Sequence, residues 1–283
     1  MAKKAKAPAK AERALPGRVV IHVSPTLTAL DRKAVARDLA KAAPALGALE
    51  WRDDLASAPM SRALHAKLAG ARVTDLKVPD AFHTAVTADL DAEAAIDGKP
   101  QLVTSAELAA RLYDGHKVSQ AALPCLPEGE RSTATLHVWV TRRMLGTYSA
   151  DEMRYHARYA VFGYPVVFSL LGLGLSPAPS VEATLFAREL ARRGANAAQI
   201  EMEVDREYPE ERVDIDDAPT VAAAVASTVL QGAAAAVGKG PFCRDPACRL
   251  FNAHRKAEMR ASFLGGKLCR SHARLFAAGG RSR

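Results

Sequence analysis

The stretch FCRDPACRLFNAHRKAEMRASFLGGKLCRSH, residues 242–272, holds three of the chain's four cysteines and a histidine three places after the last of them. Four residues separate Cys243 from Cys248, two separate Cys269 from His272, and twenty lie between the pairs. Tetrahedral zinc asks for this arrangement, since each pair supplies two corners from one turn and the longer segment brings the pairs together. The Asp-Pro of RDPA predicts a turn that aims both sulfurs at one point. The three-residue offset in CRSH predicts two side chains on one side of a helix or its start. Three thiolates and one imidazole fill the shell and leave no position for water or substrate. The expected role is therefore structural, with one zinc ion; such sites contribute ~10–16 kcal/mol to the folding of small zinc peptides. The competing reading is three unbound thiols in a basic helix–loop–helix. His254, in NAHRK, reads as a surface contact, and Cys125, between two prolines, as an inert loop thiol.

A second grouping lies in DEMRYHARY. Glu152 and His156 are four apart, on one face if this stretch is helical, and with His137 they could share a metal or a proton. The plainer reading is a surface ion pair. The run from Glu201 to Asp217 carries nine carboxylates against Arg206 and Arg212, and its spacing matches no calcium loop. It reads as a solvated loop facing the basic C-terminus.

These residues sit in a chain of 283 with a formal charge of +8, unevenly spread. Residues 1–18 net +5 and residues 240–283 net +8, so the part between nets −5. Two basic ends on a mildly acidic body suit either a solvated tail and helix face or a polyanionic partner such as nucleic acid. The opening MAKKAKAPAKAERALPG has no apolar stretch for export. The longest apolar run, APTVAAAVASTVLQGAAAAVG, is mostly alanine and carries Ser227, Thr228 and Gln231, so it reads as a buried helix and not a membrane span. Clustered cysteines point to a reducing compartment, and the expected location is the cytoplasm.

The elements that must position these groups read as α/β. GRVVIHV is a first strand and TALDRKAVARDLAKAAPAL a helix ending near Pro44. TSAEL, Thr104 to Glu107, starts a helix that stops near Gly115. ALPCLPEGERS is loop. TLHVWVT is a strand with Leu136, Val138 and Val140 on one face and His137 and Trp139 on the other. YPVVFSLLGLGLS is a central strand covered on both sides. VEATLFARELARRGA is a helix with a glycine stop, AAQIEMEV a further strand, and residues from about Thr220 to Val237 the alanine-rich helix. The expected architecture is a mixed β-sheet flanked by helices: a disordered basic tail over 1–16, one α/β domain over 17–242, a Cys3His zinc module over 243–276 packed on it, and a disordered tail over 277–283.

From Cys243 onward the chain resembles the archaemetzincins, zinc metallopeptidases of the metzincin class. That family carries H-E-x-x-H-x-x-G-x-x-H directly followed by C-x4-C, then a methionine turn, then C-x2-C. Here Cys243 and Cys248 match the first pair, Leu250 stands at the turn methionine, and Cys269 with His272 stand for the last pair. The long spacer differs by about one residue. The resemblance is specific over roughly 243–276 and looser upstream, and it implies a metzincin-like fold. The catalytic motif is missing: laid ungapped, the two helical histidines fall on Gly232 and Ala236, the general base on Ala233 and the third histidine on Phe242. Residues 218–242 contain no His, Asp, Glu or Cys, and no two of the eight histidines lie within five residues of each other. A helix-borne histidine pair is thus impossible in this chain, and with it the activated water of the family mechanism. What the resemblance implies is a pseudo-metallopeptidase that keeps a structural zinc and binds an unidentified protein or peptide partner. A nucleic-acid-associated zinc protein, and a hydrolase using Glu152, His156 and His137, stand as alternatives.

Overall fold

Side-chain alternation along the first strand decides how the sheet is covered. In the computed structural model, which describes residues 14–277 except Pro25, Ala29, 58–60 and 99–104, β1 spans Arg18–Val23. Val19, Ile21 and Val23 face one side; Arg18 and His22 face the other. Chain order then runs α1 Arg32–Ala42, β2 Ala48–Asp53, α2 Ser61–Ala69, α3 Thr87–Gly98, α4 Ser105–Ala109, β3 Leu112–Asp114 and α5 Gly115–Ala122. It continues through β4 Thr135–Thr141, β5 Met144–Ser149, β6 Arg154–Arg158, β7 Ala160–Val161, β8 Val166–Ser169 and α6 Leu170–Leu175. The last helices are α7 Val181–Arg192, α8 Ala197–Glu207, α9 Ala218–Ala236, α10 Lys256–Gly265 and α11 Arg270–Phe276.

The main sheet has the order β2-β1-β4-β8-β7, parallel except for the short edge strand β7. A second sheet, β3-β5-β6, packs beside it. As the alternation of TLHVWVT predicts, β4 splits its residues between two cores. Leu136, Val138 and Val140 join Val35 and Leu39 of α1 and the valines of α9. Trp139 joins Leu64 and Leu68 of α2 and Val118 of α5, its ring N–H donating to Asp54 Oδ1 at 2.9 Å. Helix α9 is long and apolar enough to cross a membrane by length and composition, yet 14 of its 19 residues are buried inside the protein. Its alanines let it lie directly on the sheet. Residues after Cys243 are continuous with this core: Cys248, Leu250, Met259, Phe263 and Phe276 are buried in the same cluster as α9.

Several sequence expectations change. Leu15 packs on the core, so residues 14–16 belong to the folded body; 1–13 and 278–283 lie outside the described residues. Thr104 also lies outside them. The helix after it ends at Ala109, and Gly115 begins α5 instead of stopping a helix, because Asp114 Oδ1 accepts the Lys117 N–H at 2.8 Å. In the apolar run after Pro165 only four residues are strand; Ser169 then caps α6 by accepting the Gly172 N–H at 2.7 Å. AAQIEMEV is helix α8 and not a strand, fixed by a capping box between Asn196 and Gln199. Much of the acidic run is therefore helical. DEMRYHARY is a turn leading into β6, with no helix.

Candidate metal centre

The RDPA turn forms as expected: Cys248 N–H donates to Asp245 O at 3.0 Å, and Asp245 Oδ1 accepts the Ala247 N–H at 3.0 Å. A short bridge pairs Cys243 with Phe251, the Cys243 N–H reaching Leu250 O at 2.7 Å. The second pair arrives through a bridge between Cys248 and Lys267, after which Cys269 occupies the position that opens α11 and His272 sits in its first turn.

The four donors meet. Cys243, Cys248, Cys269 and His272 place their ligand atoms within 4.8 Å of one another. Cys243 Sγ lies 3.8 Å from Cys269 Sγ, and Cys248 Sγ lies 3.6 Å from His272 Nδ1. Tetrahedral coordination with Zn–S of ~2.3 Å and Zn–N of ~2.0–2.1 Å sets those separations at about 3.8 and 3.5 Å. Cys269 Sγ to His272 Nδ1 is 3.2 Å, slightly tighter. Backbone N–H groups of Asp245 and Cys269 each point at a sulfur, Cys243 and Cys248 respectively, at 3.4 Å. Such donors stabilise thiolate over thiol. Burial pushes the Cys248 thiol up to about 11. At Cys269 burial acts in the same direction, but backbone N–H donors and the neighbouring thiols outweigh it and hold the thiol below its ordinary value. Burial lowers His272, favouring the neutral imidazole that a metal requires. The donor set fits a closed four-coordinate ion.

Arg249, next to Cys248, fastens this module to the body. Its guanidinium bonds both Asp38 oxygens on α1, the Ser227 hydroxyl at 2.8 Å and Ala223 O at 3.0 Å on α9. Spacing alone gave no sign of this clamp. On the opposite flank, burial lowers the pKa of Lys256, which faces Glu211, Asp205 and Glu201. The acidic segment does meet the basic C-terminus.

Of the other proposed ligands, His137 is not brought to Glu152 and His156. Glu152 and His156 pair with each other at 3.2 Å across the tip of the β5–β6 hairpin. His137 is fully buried on β4, in the other sheet, and pairs with His22 Nε2 through its Nδ1 at 3.0 Å. Among the described residues the Cys3His group alone gathers three or more such donors. His254 is exposed, its ring nitrogen 3.5 Å from Asn252, and burial raises the Cys125 thiol, both as expected.

The His22–His137 pair was not legible, because it depends on β1–β4 register between residues 115 apart. Beside it Arg18 and Arg52 both bond Glu50 and Glu130, and Glu130 Oε2 stands 3.7 Å from His137 Nε2. Burial brings His22 down to about 4 and lowers His137 as well.

Helix α9 carries three of the four positions that the archaemetzincin resemblance aligns with its motif. Gly232, Ala233 and Ala236 lie on it, the first two buried. A Cβ added at Gly232 would sit 3.1 Å from Val166 Cγ2 and 3.3 Å from Leu136 Cδ1, tighter than ordinary contact. Phe242 stacks edge-on against Phe162, ring centroids 5.4 Å apart. A cavity of about 160 Å³ lies between α9 and the β4/β8 side of the sheet; Gly232, Ala236, Thr135, Phe162 and Tyr164 are among its lining residues, and no imidazole, thiol or carboxylate is.

A mixed sheet flanked by helices, with three thiols and an imidazole converging near its C-terminal end, defines an α/β protein equipped to hold a metal ion. The chain belongs to the probable metallopeptidase family DUF6775, whose sequence model matches residues 16–278. Neither a curated protein nor a solved structure matches it.

Proposed function

We propose that this chain is a non-catalytic, archaemetzincin-like member of its family, that its Cys3His group holds one structural zinc ion, and that it acts by binding a protein or peptide partner in the cleft beside α9. Soft thiolates with one imidazole at tetrahedral spacing favour zinc over hard oxygen-seeking cations. Inactivity is carried by one observation: the helix side that abuts the cavity offers Gly232, Ala235 and Ala236, and no donor to hold a second ion. Without an open metal site no water is activated near neutral pH. The cavity is lined by Leu136, Phe162, Val166 and the small residues of α9, with Thr133, Thr135 and Tyr164 as polar groups, a lining that suits a short apolar side chain of a peptide. Reduced thiols in the zinc site accord with a cytoplasmic location.

The test is a digest of a mixed peptide library by the zinc-loaded protein, read by mass spectrometry beside a Cys269→Ser control. The reading expects no new peptide ends. Cleavage that chelators abolish and that tracks this chain through purification would overturn it.

A further inference from the structure

The zinc module has two unlike sides. Its inward arginines are engaged: Arg249 with Asp38, and Arg255 with Pro179 O at 2.9 Å. Lys256 faces the acidic segment. On the outward side Arg244, Lys267, Arg270 and Arg274 are all exposed, and none has a carboxylate partner among the described residues. Their backbone positions adjoin the Cys3His group. Arg244 and Arg270 each follow a cysteine of the pair whose sulfurs are 3.8 Å apart. Lys267 bridges to Cys248, with its carbonyl accepting the Arg249 N–H at 2.9 Å. Arg274 lies one turn beyond Arg270 on α11, away from buried His272 and Phe276. A divalent ion with three thiolates nets one negative charge, which a single cation balances; the remainder is surplus. Of the module's two acids, Glu258 is taken up by the His254 and Arg255 N–H groups, and Asp245 by the turn. Directly before Cys243, Phe242 is 39% exposed.

We infer that this face binds single-stranded nucleic acid, with Arg244, Lys267, Arg270 and Arg274 on the phosphates and Phe242 stacking on a base. Unpaired cations near the Cys3His group, with a part-exposed aromatic ring one residue before Cys243 whose other side packs on Phe162, are what a flexible strand requires. A stacking ring finds its partner on unpaired bases, which favours a single strand over a duplex. Around the patch Leu264 is the sole other exposed large apolar residue of the described module, too little to enter a lipid surface. This inference goes beyond the peptide-cleft reading and does not depend on it.

Fluorescence anisotropy of a labelled oligonucleotide of ~16 nucleotides with the zinc-loaded full chain tests it. Four phosphate contacts predict that log K falls with log salt with a slope of about −3. Arg270→Glu/Arg274→Glu should weaken binding at least tenfold and halve the slope with zinc content unchanged; should that variant lose zinc, Arg244→Glu/Lys267→Glu takes its place. Phe242→Ala should weaken binding about fivefold or more at an unchanged slope. Replacing Lys3, Lys4, Lys6 and Lys10 by Ser separates the module from the N-terminal tail. Three results would each overturn the proposal: binding lost only with the tail lysines, equal competition by polyglutamate, or stronger binding to phosphatidylserine-containing vesicles than to the oligonucleotide. So would no binding at low salt.

Discussion

Arg249 grips Asp38 through two guanidinium nitrogens, each 2.6 Å from a carboxylate oxygen, across 211 positions of sequence. One residue before it stands Cys248, buried among the same groups as α9. The Cys3His group thus adjoins the cation that ties the C-terminal segment to α1.

Asp38→Ala leaves that guanidinium, 7% exposed, without its carboxylate. The expected cost is about 2–3 kcal/mol, below the full penalty for a deeply buried pair because Asp38 is itself a third exposed and the Ser227 and Ala223 bonds remain. Urea unfolding at neutral pH measures it. A change below ~0.5 kcal/mol would mean the clamp contributes nothing.

Removing the metal should be felt well beyond its ligands. Leu250, Met259, Phe263 and Phe276 lie in the main core, so a chelator or Cys248→Ser is expected to release 243–276 and expose α9. Hydrogen exchange reads this as lost protection over 218–236 as well as over the module. Protection unchanged on α9 would contradict the coupling.

Gly232→His, which places an imidazole where the proposed archaemetzincin alignment has its first histidine, should bind no additional metal, since no imidazole, thiol or carboxylate lines the adjoining cavity. It should lower stability by about 1–2 kcal/mol, the contacts to Val166 and Leu136 outweighing the gain in helix propensity. Thermal unfolding and metal content check both parts.

Acid should weaken the fold through the buried histidine pair. His22 and His137 titrate below their ordinary value in the folded state because burial disfavours the imidazolium. The unfolded chain therefore binds more protons below about 6.5, and stability present above that pH is lost as pH falls toward 4. For His22 alone the loss is up to roughly 3 kcal/mol. In His22→Gln the decline between pH 6.5 and 4 should flatten; an equally steep decline would assign it elsewhere.

The parts legible in the sequence are those whose cause is local. β1 and β4 alternate or are β-branched, α9 is a long apolar run, and the cysteine spacing encodes the tetrahedron. Where period-2 alternation competed with a helix cap, as in IEMEV of α8, the cap prevailed; the Asn196–Gln199 pair was its readable signal. Gly115 misled as a helix stop and the apolar run of α6 misled as continued strand, because Asp114 and Ser169 cap helices there. The histidine pair, the Arg249 clamp and the buried Glu93–Arg143 contact at 2.9 Å depend on strand register and tertiary packing, which no short window contains.

Metal content of the purified chain, measured by mass spectrometry on wild type and Cys269→Ser side by side, tests the central claim most directly. One zinc per wild-type chain and none in the variant is the predicted result. A second ion in the wild type, or one that survives the substitution, would contradict it.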